Sequence, residues 1–181
     1  IDILYQILIL ILLYVIGPLF LIPIMFTSFL SGFLFGNLNG FIFSILGYLL
    51  ASLFYYYLGR YFHNIDFVKR KIVLIKTRYR KLFNDINIIT VSFLAITIPF
   101  MLLAPFLGVL KKRKRVVILG LVLGALPAIF FSVNAGSSGM EFIKTRDSTL
   151  LMYSIGYLIL MYMINKFLIK GSYIFIKFNT A

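Results

Sequence analysis

The stretch Ile22–Gly32, IPIMFTSFLSG, returns 76 positions later as Ile98–Gly108, IPFMLLAPFLG, with Ile, Pro, Met and Gly at matching places. Each copy sits in an apolar run, ends at a glycine and leads into a helix-length apolar segment carrying small residues. The chain therefore reads as a duplication. In the first copy Gly17, Pro18 and Pro23 fall mid-run, and in the second Pro99 and Pro105 do. Each proline removes an N–H and clashes with the turn before it. Two prolines in one apolar segment predict a re-entrant hairpin, because unwound backbone at bilayer depth survives only where it is packed in protein or lines a cavity.

Composition identifies the solvent. Of 181 residues 62% are hydrophobic and 13% charged, with a mean hydropathy of +1.04, whereas about a quarter of a soluble domain is charged. An all-α integral membrane protein is expected. Apolar runs fill nearly the whole length, and no signal-peptide cleavage pattern stands out. The chain has no cysteine, so neither a disulfide framework nor thiolate chemistry arises.

The formal net charge is +13, and 13 of the 18 Lys and Arg residues fall in two places, residues 60–81 and the run Lys111–Arg115. This is the positive-inside pattern. No groove-reading or base-stacking motif accompanies the charge, so it is assigned to topology and anionic lipid rather than nucleic acid.

Read in order, residues 3–35 form a first re-entrant hairpin or, alternatively, a kinked span. Residues 36–58 are a transmembrane helix, and 60–85 a basic amphipathic helix, with Ile65, Val68, Ile72, Ile75, Tyr79 and Leu82 three and four apart. Such a helix either lies on anionic headgroups or packs as a connector. Residues 86–110 are a second re-entrant hairpin, since basic stretches on both of its sides belong on one membrane face. Residues 116–135 and 148–169 span, a polar loop at 136–147 lies outside, and 170–181 form a tail. The expected fold is an inverted repeat, hairpin plus transmembrane helix, with one additional C-terminal transmembrane helix. Small residues at helical spacing, Gly36, Gly40, Ser44, Gly47 and Ala51 in the first copy and Gly120, Gly124 and Ala128 in the second, serve either close helix packing or substrate contact.

Gly32, Gly36, Gly40 and Gly47, followed by Tyr57, Leu58, Gly59, Arg60 and Tyr61, resemble the signature of the DedA-like membrane proteins, also called the VTT-domain or SNARE-associated Golgi protein family. The second half is similar in layout, with Pro99, Gly108, the Lys111–Arg115 run, Gly124, Pro127 and Gly136. The resemblance covers about residues 15–140. It implies two opposed re-entrant hairpins in a bacterial plasma membrane and the translocation of lipids through a groove between them. The substrates implied are anionic phospholipid or polyprenyl phosphate, moved by scrambling, flipping or carrier recycling.

On that footing the substrate-binding residues are Arg60, Pro23, Gly32, Gly36, Gly40, Gly47, Pro99, Pro105 and Gly108. Lys69, Arg70, Lys111, Lys112 and Arg113 are expected at lipid headgroups. Family members commonly have an arginine ahead of the second loop prolines, and acidic or amide residues in the loops. Here the corresponding positions are Phe93, Ile96, Met101 and Ala104, which argues against proton coupling through an intramembrane carboxylate. Arg60 either pairs with a lipid phosphate or snorkels to anchor its helix.

No metal, cofactor or catalysis is expected. His63 is the single histidine and gives no metal site. Ser137 and Ser138 near Glu141 have no base and orienter beside them. The alternative to lipid translocation is a non-transporting scaffold or assembly factor that binds anionic lipid or partner proteins, and either reading admits a homo-oligomer. A groove lined by Ser28, Ser31, Asn37, Asn39 and Ser44 would favour movement.

Overall fold

A computed structural model describes residues 3–20, 22–63, 86–150, 152–160, 162–163 and 166. Helix α1 (Ile3–Ile16) ends in a 3₁₀ turn, Gly17–Phe20; then come α2 (Ile24–Phe62), α3 (Ile88–Thr97), α4 (Phe100–Val109), α5 (Lys114–Thr145) and α6 (Ser148–Leu160). The described residues contain no strand. Three stretches, Ile3–Phe20, Ile24–Phe62 and Lys114–Thr145, are long and apolar enough to cross a membrane. A helix meets its backbone hydrogen bonds internally, which is what hydrocarbon demands. The expected basic helix falls almost wholly on residues 64–85, outside the described residues, and so do the tail and most of 161–169.

Along α2 the usual soluble pattern is inverted. Leu38, Ile42, Leu46, Leu50 and Phe54 recur every four residues and are exposed, whereas Ser44, Ala51 and Ser52 are fully buried. The aliphatic stripe is turned outward and the buried face carries small residues, which let backbones approach closely, together with Tyr48, Tyr55 and Tyr56.

The described residues divide into two compact units, one taking residues up to Ala51 and Leu126–Lys166, the other Ser52–Ala125. In the first, α2 is not one rod. Gly36 has φ 76° and ψ −173°, a left-handed conformation that glycine adopts at little cost. There the arm 24–35 turns back on the rest of the helix: Ser31 Oγ donates to the Gly40 carbonyl at 2.8 Å, and the Phe35 and Phe43 rings meet edge-on at 5.0 Å. A Cβ on Gly40 would come within 2.8 Å of the Gly32 Cα. The end of α1 joins the same arm, with Tyr14 Oη 2.8 Å from Ser28 Oγ.

In the second unit α3 is capped by Asn87, whose Oδ1 accepts the Thr90 N–H at 2.9 Å and its hydroxyl at 3.0 Å. An extended Ile98 and Pro99 separate α3 from α4. Lys111, at φ 53°, closes α4 through its N–H to the Gly108 carbonyl. The chain then enters α5, where Gly120 lies against Val91 and Gly124 against the Ser92 carbonyl.

Both units are closed by the same device. A Cβ placed on Gly32 would overlap the Val133 carbonyl, and one on Gly136 the Phe29 carbonyl; in the second unit Gly108 meets the Tyr56 carbonyl and Gly59 the Pro105 carbonyl. The partners are exchanged. Each loop-arm glycine of one sequence copy packs on the late spanning-helix segment of the other copy.

α5 continues without interruption to Thr145, so Gly136–Thr145, expected as the start of a loop, is helical. Packing explains the difference: Gly136 and Ser137 are buried there and Gly139 faces the Ser154 hydroxyl.

Candidate functional site

The first unit has a polar interior to which α1, α2, α5 and α6 all contribute. Thr27, Ser28 and Ser31 on the arm of α2, Ser44 beyond its turn, and Ser132, Asn134 and Ser137 on α5 are all buried. Burying hydroxyls and amides in hydrocarbon is costly unless they are bonded, and most are. Tyr14 pairs with Ser28, Thr27 Oγ1 donates to the Ile24 carbonyl at 2.8 Å, and Ser154 Oγ on α6 donates to the Ala135 carbonyl at 2.8 Å. Asn37, exposed just after the Gly36 turn, donates from Nδ2 to Asn134 Oδ1 at 2.7 Å, and Asn134 Nδ2 donates to the Phe130 carbonyl at 2.8 Å. The Ser44 hydroxyl is buried close to Tyr14, with no further hydrogen-bond partner among the described residues. These groups offer neutral donors and acceptors, suited to exchanging hydrogen bonds with a polar group rather than to holding a charge.

The second unit gathers the cations. Arg60 is exposed at the end of α2, its Nη1 3.4 Å from Tyr56 Oη. Tyr56, fully buried, donates in turn to the Lys112 carbonyl at 2.7 Å. His63 Nδ1 lies 2.7 Å from the Val109 carbonyl, and Lys114 Nζ donates to Tyr57 Oη at 3.1 Å. Lys112 and Arg113, with Ile86, Asn87, Ile88 and Val116, line a cavity of about 500 Å³.

The expected site residues thus divide. Gly32, Gly40 and Gly47 are buried in the first unit, Gly47 against the Tyr14 ring. Gly36 makes the turn, and Pro23 is exposed ahead of α2. In the second unit Pro105 and Gly108 press on α2, Pro99 is exposed, and Lys111 and Arg113 are exposed beside the half-buried Lys112. Lys69 and Arg70 lie outside the described residues. Of the expected groove residues, Ser28, Ser31 and Ser44 are buried, whereas Asn37 and Asn39 are exposed.

Sequence reasoning passed over Tyr14, Asn134, Tyr56 and Asn87. Asn134 had a signal, a lone amide inside an apolar run. Asn87 had one too, an N-cap residue just ahead of an apolar helix. No curated protein and no solved structure matches the chain. A family model described as the VTT domain matches residues 22–138.

Proposed function

Since this chain belongs to the VTT-domain family, an all-helical membrane protein with three stretches able to cross a bilayer, we propose that it moves lipid headgroups across the membrane without coupling to an ion. The observation behind the proposal is the hydroxyl and amide interior of the first unit, with the Asn37–Asn134 pair opening it to the exposed turn. A headgroup crossing a bilayer must trade its hydration for other hydrogen bonds, and each unsatisfied polar group in hydrocarbon costs several kcal/mol. Neutral side chains can supply those bonds and release them again. The re-entrant arms begun by Pro23 and Pro99 would keep the acyl tails in lipid while the headgroup follows polar backbone.

The exposed cations Arg60, Lys111 and Arg113 attract anionic headgroups to the surface, each basic residue contributing about 1 kcal/mol near a charged leaflet. The substrates proposed are anionic phospholipid or polyprenyl phosphate in a bacterial plasma membrane.

The test is dithionite quenching of a fluorescent phospholipid in proteoliposomes. Loss of the protected inner-leaflet signal without added energy, after leakage controls, is the expected result. Asn37→Leu, an exposed and conservatively sized change, should slow that loss several-fold while leaving reconstitution unchanged. Quenching confined to the outer leaflet would reject passive translocation and leave energy-coupled carrier-lipid transport or a membrane scaffold.

A further inference from the structure

The two sequence copies fall in register over the arm of α2 and over α4, and the register reveals a difference between them. Thr27, Ser28 and Ser31 of the arm stand 76 positions ahead of Leu103, Ala104 and Leu107 of α4. All six are buried, none more than 2% exposed. Gly32 and Gly108 end the matching runs, and each abuts a backbone carbonyl. The same local fold therefore forms with an apolar face at these three positions, yet the arm carries hydroxyls there. We propose that the arm, residues 24–35, is a hinged flap. Its hydroxyl face is released when water or another polar group enters to take over its hydrogen bonds, whereas α4 is a fixed element.

Two of the three hydroxyls bond outside the arm. Ser28 pairs with Tyr14 of α1 at 2.8 Å, and Ser31 donates to the Gly40 carbonyl at 2.8 Å. Thr27 bonds within the arm, to the Ile24 carbonyl. Breaking either outward bond in hydrocarbon leaves a polar group unpaired, which is costly. A polar entrant removes that cost by offering a replacement, so release is conditional on its arrival. Hydrogen bonds between membrane helices are individually modest, and two of them hold a flap without freezing it. Leu103, Ala104 and Leu107 have no side-chain donor or acceptor to exchange, and they hold α4 by packing alone.

The ends of the two elements differ in the same sense. Hinges are a few residues at element ends that absorb large backbone changes. The arm ends at Gly36, with φ 76°, ψ −173° and nothing within 4 Å of where a Cβ would stand, a region that only glycine enters readily. At its start Ile22 and Pro23 are non-helical, and Pro23 is exposed. α4 also starts after a proline, Pro99, but the counterpart of Gly36 is Lys112. There the backbone is tied twice: the Lys112 N–H donates to the Leu107 carbonyl at 3.2 Å, and its carbonyl accepts from buried Tyr56 at 2.7 Å.

That the flap admits a headgroup rests on the translocation reading; that it moves does not. Motion without lipid transfer in the dithionite assay would retain the flap and reject the transport, and transfer past a static arm would do the reverse.

The experiment uses the full chain in phosphatidylcholine nanodiscs. Backbone deuterium exchange should be about tenfold or more faster over residues 24–35 than over 100–109. Thr27→Leu, Ser28→Ala and Ser31→Leu together copy the second sequence copy into the first. They should slow exchange over 24–35 to the rate of α4 and leave 100–109 unchanged. A second measurement needs no repacking. The chain has no native cysteine, and Ser28→Cys and Ala104→Cys place a thiol at matching buried positions. A charged methanethiosulfonate attacks the thiolate, which requires water at the sulfur, so Ser28→Cys should be labelled and Ala104→Cys spared. Equal exchange over the two elements, exchange over 24–35 that the triple substitution leaves unchanged, or equal labelling of the two cysteines overturns the flap.

Discussion

Glycine serves three distinct purposes in this chain, and substitution separates them. At Gly32, Gly59, Gly108 and Gly136 a methyl group would overlap a backbone carbonyl. Backbone cannot rotate aside, so each Gly→Ala change should force two helices apart and cost roughly 1–3 kcal/mol, read as a lowered unfolding temperature in detergent. At Gly36 there is open space but φ is 76° with ψ −173°, a region that only glycine enters readily, so Gly36→Ala and Gly36→Asn should both cost roughly 1–3 kcal/mol. Gly156 has nothing within 4 Å, and Gly156→Ala should be neutral or stabilising by up to about 1 kcal/mol. Lys111 is the converse case, a side chain at φ 53° closing a helix, where Lys111→Gly is expected to raise stability by roughly 1 kcal/mol. The small-residue stripe was plain in the sequence, but which glycines touch a carbonyl and which make a turn was not, since spacing is the same for both.

Among the elements, α5 teaches why its end was misjudged. Gly136, Ser137, Ser138 and Gly139 are residues that in water favour turns, and Glu141 to Asp147 add charge, so the helix was expected to stop near 135. Buried against the arm of α2, the same small residues are what lets the helix continue, and packing overrides propensity. α6 starts more legibly. Asp147 accepts from the Thr149 N–H at 2.9 Å and from its hydroxyl at 2.7 Å, and those bonds hold its carboxyl below the usual carboxylate range. A depressed folded value means that the cap is fully formed above the unfolded pKa and is lost as pH falls through the folded one. Amide exchange in the first turn of α6 should therefore quicken only below the ordinary aspartate range. Asp147→Ala should quicken it at neutral pH, and the difference from the wild type should vanish once the pH falls below the depressed value of Asp147.

Over the whole molecule, membrane character and helical class were legible from composition and from the repeated Ile-Pro-x-Met motif, because hydropathy and proline position report directly on the bilayer; the family was legible only as a resemblance, carried by Gly32, Gly36, Gly40, Gly47 and Tyr57–Tyr61. The exchange of partners between copies was not, because no periodicity records which carbonyl a glycine meets. That exchange predicts complementation. A chain divided within residues 64–85 leaves each fragment without the other half of both units, so either fragment alone should be degraded or aggregate. The two expressed together should co-purify, and Gly59→Ala in one fragment should reduce recovery of the other.

The same exchange puts a clock on biogenesis. The arm ending at Gly32 cannot close its unit until Val133 and Gly136 have left the ribosome, about a hundred residues later and, at roughly 5–20 residues per second, on the order of five to twenty seconds. Throughout that interval the N-terminal arm must satisfy its own hydroxyls, and it does: Ser28 pairs with Tyr14 and Ser31 with the Gly40 carbonyl, all from residues made long before α5 emerges.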